Sequence, residues 1–129
     1  MRKLILQIGD RELVTKITFA VASELSRRVG DPLHISREMA KEQHFSELGI
    51  AYKSSFEWNV ENIVETLFIA AKAADPTITR DEIADLVIAV GFIHAQLAAL
   101  TLISNIIEPN SEELQKRVGE VQNEGSAGN

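Results

Sequence analysis

Polar and apolar positions alternate at the amino terminus. Leu4, Leu6 and Ile8 alternate with Lys3, Ile5 and Gln7, and after Gly9-Asp10 the positions Leu13, Thr15, Ile17 and Phe19 alternate with Glu12, Val14, Lys16 and Thr18. A period of two on each side of a Gly-X pair predicts a β-hairpin. An isolated hairpin is marginal in water, so its apolar face must lie on helices. From Phe19 the period lengthens: Phe19, Ala22, Leu25 and Val29 are spaced for one helical face, Thr18 is available as N-cap, and Gly30-Asp31-Pro32 stops the helix.

Ser36 to Lys53 is dominated in its first half by Glu38, Lys41, Glu42, Gln43 and His44, and only Phe45, Leu48 and Tyr52 form a stripe. That pattern predicts a solvated helix packed along one edge. Ser54 with Glu57 reads as a capping box, and behind it Val60, Ile63, Val64, Leu67, Phe68, Ala71 and Ala74 recur at helical spacing opposite Glu61, Asn62 and Glu65. Asp75-Pro76 ends this helix. Thr79 with Glu82 forms a second capping box, which opens an apolar region running from Ile83 to Ile107.

Gly91 interrupts that region, giving two helices or one kinked one. Its second half is apolar nearly all round, which predicts a helix surrounded by the domain's own helices or by another subunit. Pro109 terminates it, Asn110 or Ser111 can cap a short helix carrying Leu114, Val118 and Val121, and residues 123–129 can bury nothing and read as a disordered tail. The expected fold class is mainly α (α+β): an N-terminal two-stranded β-hairpin packed on a bundle of about five to six helices, forming one domain over residues 1–122.

Composition agrees with that picture and narrows the function. A chain of 129 residues with 45% hydrophobic side chains can build a single core, and 5% aromatic content favours helices over a β-sandwich. Nineteen acidic against 13 basic residues give a net charge of -6, which repels phosphate backbones and anionic lipid heads, so no nucleic-acid partner is expected. Arg27 and Arg28 are a small basic cluster, read as complementing the dipole of the helix they end. The absence of cysteine removes disulfides, thiolate nucleophiles and the common structural zinc sites. Met1-Arg2-Lys3 and the short apolar run after it are interrupted by Gly9-Asp10-Arg11-Glu12, well short of a signal peptide.

Leu86 to Ile103 raises a membrane question, since His94 and Gln96 are its only strongly polar side chains and its length, about 18 residues, meets the lower bound for a span. Both polar residues fall near its middle, Gly91 divides it, and neither flank carries a Lys/Arg cluster. A buried helix pair is the preferred reading. His94 is then an ionisable ring inside an apolar helix, either a satisfied core histidine or a pH-sensitive element.

Catalytic chemistry is missing. His34, His44 and His94 belong to no metal-ligand motif, and His44 with Glu47 is the one pair spaced to share a helix face, read as a solvated ion pair with no metal. No serine lies in a nucleophile elbow and no glycine-rich loop cradles phosphate. Glu57, Glu61 and Glu65 run every fourth residue on one exposed face near a helix start, where the dipole favours negative charge. No catalytic residue, metal or cofactor is expected. Tyr52, Phe56 and Trp58 cluster around a predicted helix junction and are the candidate partner-binding residues, or equally a staple closing the bundle.

The run from Leu4 to Leu13, then Lys16-Ile17-Thr18-Phe19-Ala20-Val21-Ala22-Ser23-Glu24-Leu25, then helices closing with Leu100-Thr101-Leu102-Ile103, resembles the small tail assembly chaperones of long-tailed (siphovirus-type) bacteriophages. The resemblance is one of layout and covers roughly residues 1 to 110: a strand pair, a Thr-Phe-Ala opening to a helix ending in Glu-Leu, a helical body and a loose carboxyl end. It implies a non-enzymatic protein of the bacterial host's cytoplasm that binds the tape measure protein. It also implies a longer form, made by frameshifting near the gene's end, that recruits tail tube subunits. Ile83 to Ile107 and the aromatic cluster are the available surfaces for a helical partner. A homo-oligomer is expected because one helix is apolar on too many sides. The alternatives are a structural head or tail component of a phage particle, and a small membrane-spanning protein using Leu86 to Ile103.

Overall fold

The computed structural model describes residues 2–109. The hairpin comprises β1 (Arg2–Ile8) and β2 (Arg11–Ile17), followed by α1 (Phe19–Arg28), α2 (Pro32–Glu47), α3 (Val60–Ala74), α4 (Arg80–Val90) and α5 (Phe92–Ile107). The mainly α fold with an N-terminal hairpin is therefore as the periodicity predicts. The expected short helix around Leu114 to Val121 and the loose end at residues 123–129 lie outside the described residues.

The strands pair antiparallel with Leu6 opposite Leu13 and Leu4 opposite Thr15. A two-residue connection fits because Gly9 takes φ +63°, a left-handed conformation that costs glycine little. Leu6, Ile8, Leu13 and Thr15 face inward, while Ile5 and Val14, opposite one another, face solvent. The buried Thr15 hydroxyl donates to the Leu4 carbonyl at 2.7 Å, so its burial leaves no polar atom unpaired. Helix α3 packs on β2 and α5 packs on β1. The Gly9 turn abuts Val90 and His94, and Arg2 donates to the Asn105 carbonyl, so β1 and α5 run antiparallel.

Thr18 caps α1 as its spacing predicts, accepting from the Val21 amide at 3.1 Å. The face drawn through Phe19 is corrected. Val21 and Leu25 are buried, whereas Phe19 is 88% exposed, because as the first helical residue it precedes the turn that meets the core.

Helix α2 begins earlier than Ser36. Asp31 accepts from the Leu33 amide at 3.0 Å, and Pro32 fits the first position because its missing N–H would have no helical partner there. It also stops short of Lys53. Gly49, at φ +71°, donates to the Ser46 carbonyl at 3.0 Å and Ile50 to the Phe45 carbonyl at 2.9 Å, a Schellman closure that turns the chain out of the helix after Glu47.

The Ser54–Glu57 capping box is overturned. The box that forms is Asn59 with Asn62, each side chain accepting from the other's amide at 2.8 Å, so α3 opens at Val60. Ser54 is occupied locally, donating to the Phe56 carbonyl at 2.6 Å. Helix α3 is the centre of the molecule: Ile63, Val64, Leu67, Ile69, Ala70 and Ala71 are all buried, and it meets α1, α4, α5 and β2. Thr79 and Glu82 form the predicted box at the start of α4.

Gly91 is a break. With φ +95° and ψ 148°, it donates to the Val87 carbonyl at 2.8 Å to close α4, and its own carbonyl accepts from Ala95 at 3.1 Å to open α5. Among the described residues no helix is long and apolar enough to cross a membrane.

Candidate partner-binding surface

Helix α5 carries no Asp, Glu, Lys or Arg from Phe92 to Ile107, and His94 is its one ionisable side chain. One side is made of Ala95, Ala98, Ala99, Leu102 and Ile103, all buried, and the small alanines let α5 approach its neighbours closely. The other side is open, so of the two expected surroundings, this chain's own helices or another subunit, the chain's own helices cover one side only: Ile93 is 78% and Leu97 57% exposed. These two lie one turn apart and continue through exposed Thr101 and Ser104. The Thr101 hydroxyl donates to the Leu97 carbonyl at 2.9 Å, so it presents no free donor along that line. Ile88, in the last turn of α4, is 68% exposed. A single exposed aliphatic side chain is ordinary; a row of them on a helix without charge is the composition of an interface centre.

Tyr52, Phe56 and Trp58 do not form one exposed cluster. Phe56 is 9% exposed and belongs to the core, and Trp58 stands edge-on to it with ring centroids 5.0 Å apart. This pair is the staple. The Trp58 indole N–H is buried without an acceptor among the described residues.

Tyr52 lies apart from that pair. Its ring stacks on Phe45 at 5.1 Å, and its hydroxyl donates to Glu38 at 2.7 Å. Glu38, 5% exposed on α2, also accepts from the Ser55 amide at 3.2 Å and has Lys41 at 3.7 Å. The Tyr52 hydrogen bond holds the Glu38 carboxyl below the ordinary range, with Ser55 and Lys41 assisting against burial. The same bond pushes the Tyr52 hydroxyl up. His34 and Ser55 side chains meet at 2.7 Å. These contacts pin the segment 50–59 onto α2. Nothing in the spacing of a glutamate within a polar run signals this role for Glu38.

The carboxylate row is also redistributed. Glu57 lies before the helix, while Glu61 and Glu65 on α3 receive Arg80 of α4 at 2.6 and 3.0 Å. Arg28 bridges Glu65 at 3.3 Å and Glu24 at 3.2 Å, so α1, α3 and α4 share one ionic network. Arg27 pairs with Glu24. The arginines at the end of α1 thus tie helices together, beyond complementing a dipole.

His94 is exposed in the first turn of α5, which overturns the buried histidine. Gly91 is the reason, because the break re-aims α5 so that Ala95 and Ala98 take the inward positions. His44 and Glu47 are both exposed, with the His44 ring edge-on to Phe45 at 5.7 Å. Among the described residues no group of three or more His, Asp or Glu is placed to hold a metal ion. No protein-family model, curated protein or solved structure matches the chain.

Proposed function

We propose that this chain is a non-enzymatic tail assembly chaperone of a long-tailed bacteriophage, binding the tape measure and tail tube proteins while the tail is built in the host cytoplasm. The observation that carries the reading is the open side of α5, where Ile93 and Leu97 stand on a helix without Asp, Glu, Lys or Arg in an otherwise charged chain. Apolar anchors one turn apart suit a partner helix laid along them, and a tape measure protein is long and helical. The layout of strand pair, Thr-capped helix and helical body supports the same reading.

The test is co-expression with the tape measure protein encoded by the same phage. The chain should keep that protein in the supernatant and co-purify with it, and Ile93→Glu combined with Leu97→Glu should abolish both effects while leaving the circular dichroism spectrum unchanged. Purified phage particles should lack the chain. Its presence there would overturn the chaperone reading in favour of a structural head or tail component, and intact binding by the double variant would remove α5 from the interface.

A further inference from the structure

The two-residue turn between Ile8 and Arg11 makes those residues a hydrogen-bonded pair, and the antiparallel alternation carries that pattern to Leu6–Leu13, Leu4–Thr15 and Arg2–Ile17. The residues between them on β2, Glu12, Val14 and Lys16, therefore turn their N–H and C=O groups away from β1. Among the described residues the sheet has no third strand to receive them. Such an edge is a template for another strand.

The solvent face of the same hairpin is unbalanced in charge. Lys3 and Lys16 stand directly opposite one another, a like-charge pair that destabilises a sheet, and among the described residues neither meets a carboxylate at ion-pair distance. Glu12, exposed on the same face of β2, likewise meets no cation among the described residues. Between Glu12 and Lys16, Val14 and its cross-strand neighbour Ile5 are both exposed. Along β2 the outward row is thus acid, aliphatic, base, which is its own complement when reversed. The outward row of β1, Lys3, Ile5 and Gln7, lacks the acid and is not.

We propose that two copies of this chain pair antiparallel through β2, on a two-fold axis at Val14, to form one four-stranded sheet. Glu12 of each copy stands opposite Lys16 of the other, and the two Val14 side chains meet on the axis. Each of the three residues donates its amide and accepts at its carbonyl across the seam. Ile5 and Val14 of both copies then make one continuous aliphatic row, and the Lys3–Lys16 pair gains the other copy's Glu12. Phe19, the most exposed large hydrophobic side chain among the described residues, lies two residues past β2, which this register brings level with the other copy's Gly9-Asp10 turn. No residue of α5 takes part, so the contact is separate from the chaperone reading. A seven-residue strand buries less than the roughly 800 Å² per partner of a standard interface, so the dimer is weak and concentration-dependent.

Sedimentation equilibrium of the full chain should show a dimer with a dissociation constant between about 10 μM and 1 mM, and a chain still monomeric at about 1 mM overturns the proposal. Lys16→Glu and Glu12→Lys each set like charges across the seam and should weaken the dimer about tenfold or more, while the two changes together should restore it to within about threefold. A dimer indifferent to either single change, or a double variant as weak as the singles, overturns the proposal. A second readout uses the absence of cysteine from the chain. Val14→Cys places two thiols across the axis with Cα atoms about 5.5 Å apart, within disulfide reach, whereas Ile5→Cys leaves them three strand spacings, about 14 Å, apart. On mild oxidation the Val14 variant should link into dimers at least about tenfold faster than the Ile5 variant. Equal rates, or a faster link at Ile5, overturn the proposal.

Discussion

Replacing Gly91 with alanine tests the break between α4 and α5 by the sign of its effect. Gly91 holds φ +95° and ψ 148°, a region that side-chain-bearing residues rarely enter, and a Cβ built there meets no atom within 4 Å. The cost is therefore conformational and not steric, about 1–3 kcal/mol, offset by about 0.4–1 kcal/mol from the reduced freedom of the unfolded chain. A net loss of about 1–2 kcal/mol, with a urea slope of about 1–3 kcal/mol/M, lowers the unfolding midpoint by about 0.3–2 M. If the chain were one continuous helix through position 91, the same substitution would stabilise it by about 1 kcal/mol, because alanine is the better helix former. Urea titration followed by far-ultraviolet circular dichroism distinguishes the two. A raised midpoint at unchanged slope would refute the break and with it the exposure of Ile93 and His94.

Arg80→Gln removes two of the contacts joining α3 to α4 and leaves Glu65 with Arg28 alone. Because Arg80 is half exposed, the expected loss is about 0.5–1 kcal/mol, and it should shrink in 1 M salt, where the screening length falls to about 3 Å; a loss that salt leaves untouched would mean the ion pairs are not its source. Tyr52→Phe should destabilise at neutral pH and progressively less in acid. The folded Glu38 carboxyl lies below its unfolded value, so the stability it contributes is present above about pH 4.3 and is lost as pH falls through the folded value. Thermal melts of both chains at pH 7 and pH 3 check this, and a gap equally wide at pH 3 would show that the carboxylate is not what Tyr52 serves.

The fold was legible where one local signal had no competitor. Alternation around Gly9-Asp10, the Thr18 cap and the Thr79–Glu82 box each demand a single geometry. The errors arose where two signals of the same kind lay close together. Ser54–Glu57 and Asn59–Asn62 both have the spacing of a capping box, and the second wins because its start leaves Phe56 and Trp58 in an extended segment that reaches the core. The Leu48 and Tyr52 positions continue a helical stripe, yet Gly49 closes α2 before them and Tyr52 reaches Phe45 and Glu38 from outside the helix. The site was legible only as a region. Apolarity along Ile83 to Ile107 marks a helix pair without saying which side is covered, because that depends on the angle set at Gly91.

Charge and apolarity are divided between different parts of this molecule, and the division bears on what kind of partner it takes. The ionic network of Glu24, Arg28, Glu61, Glu65 and Arg80 lies on α1, α3 and α4, and α4 exposes Asp81, Glu82 and Asp85 besides. A basic partner would be drawn to that acidic side, and its binding would weaken steeply with salt. The open side of α5 has no Asp, Glu, Lys or Arg to desolvate, and a helix laid along it gains from burying Ile93 and Leu97. Contact there strengthens with exclusion of water and depends little on ionic strength. An acidic body also discourages random contact between copies, which leaves the uncharged row as the part of the surface where close approach meets no like-charge repulsion.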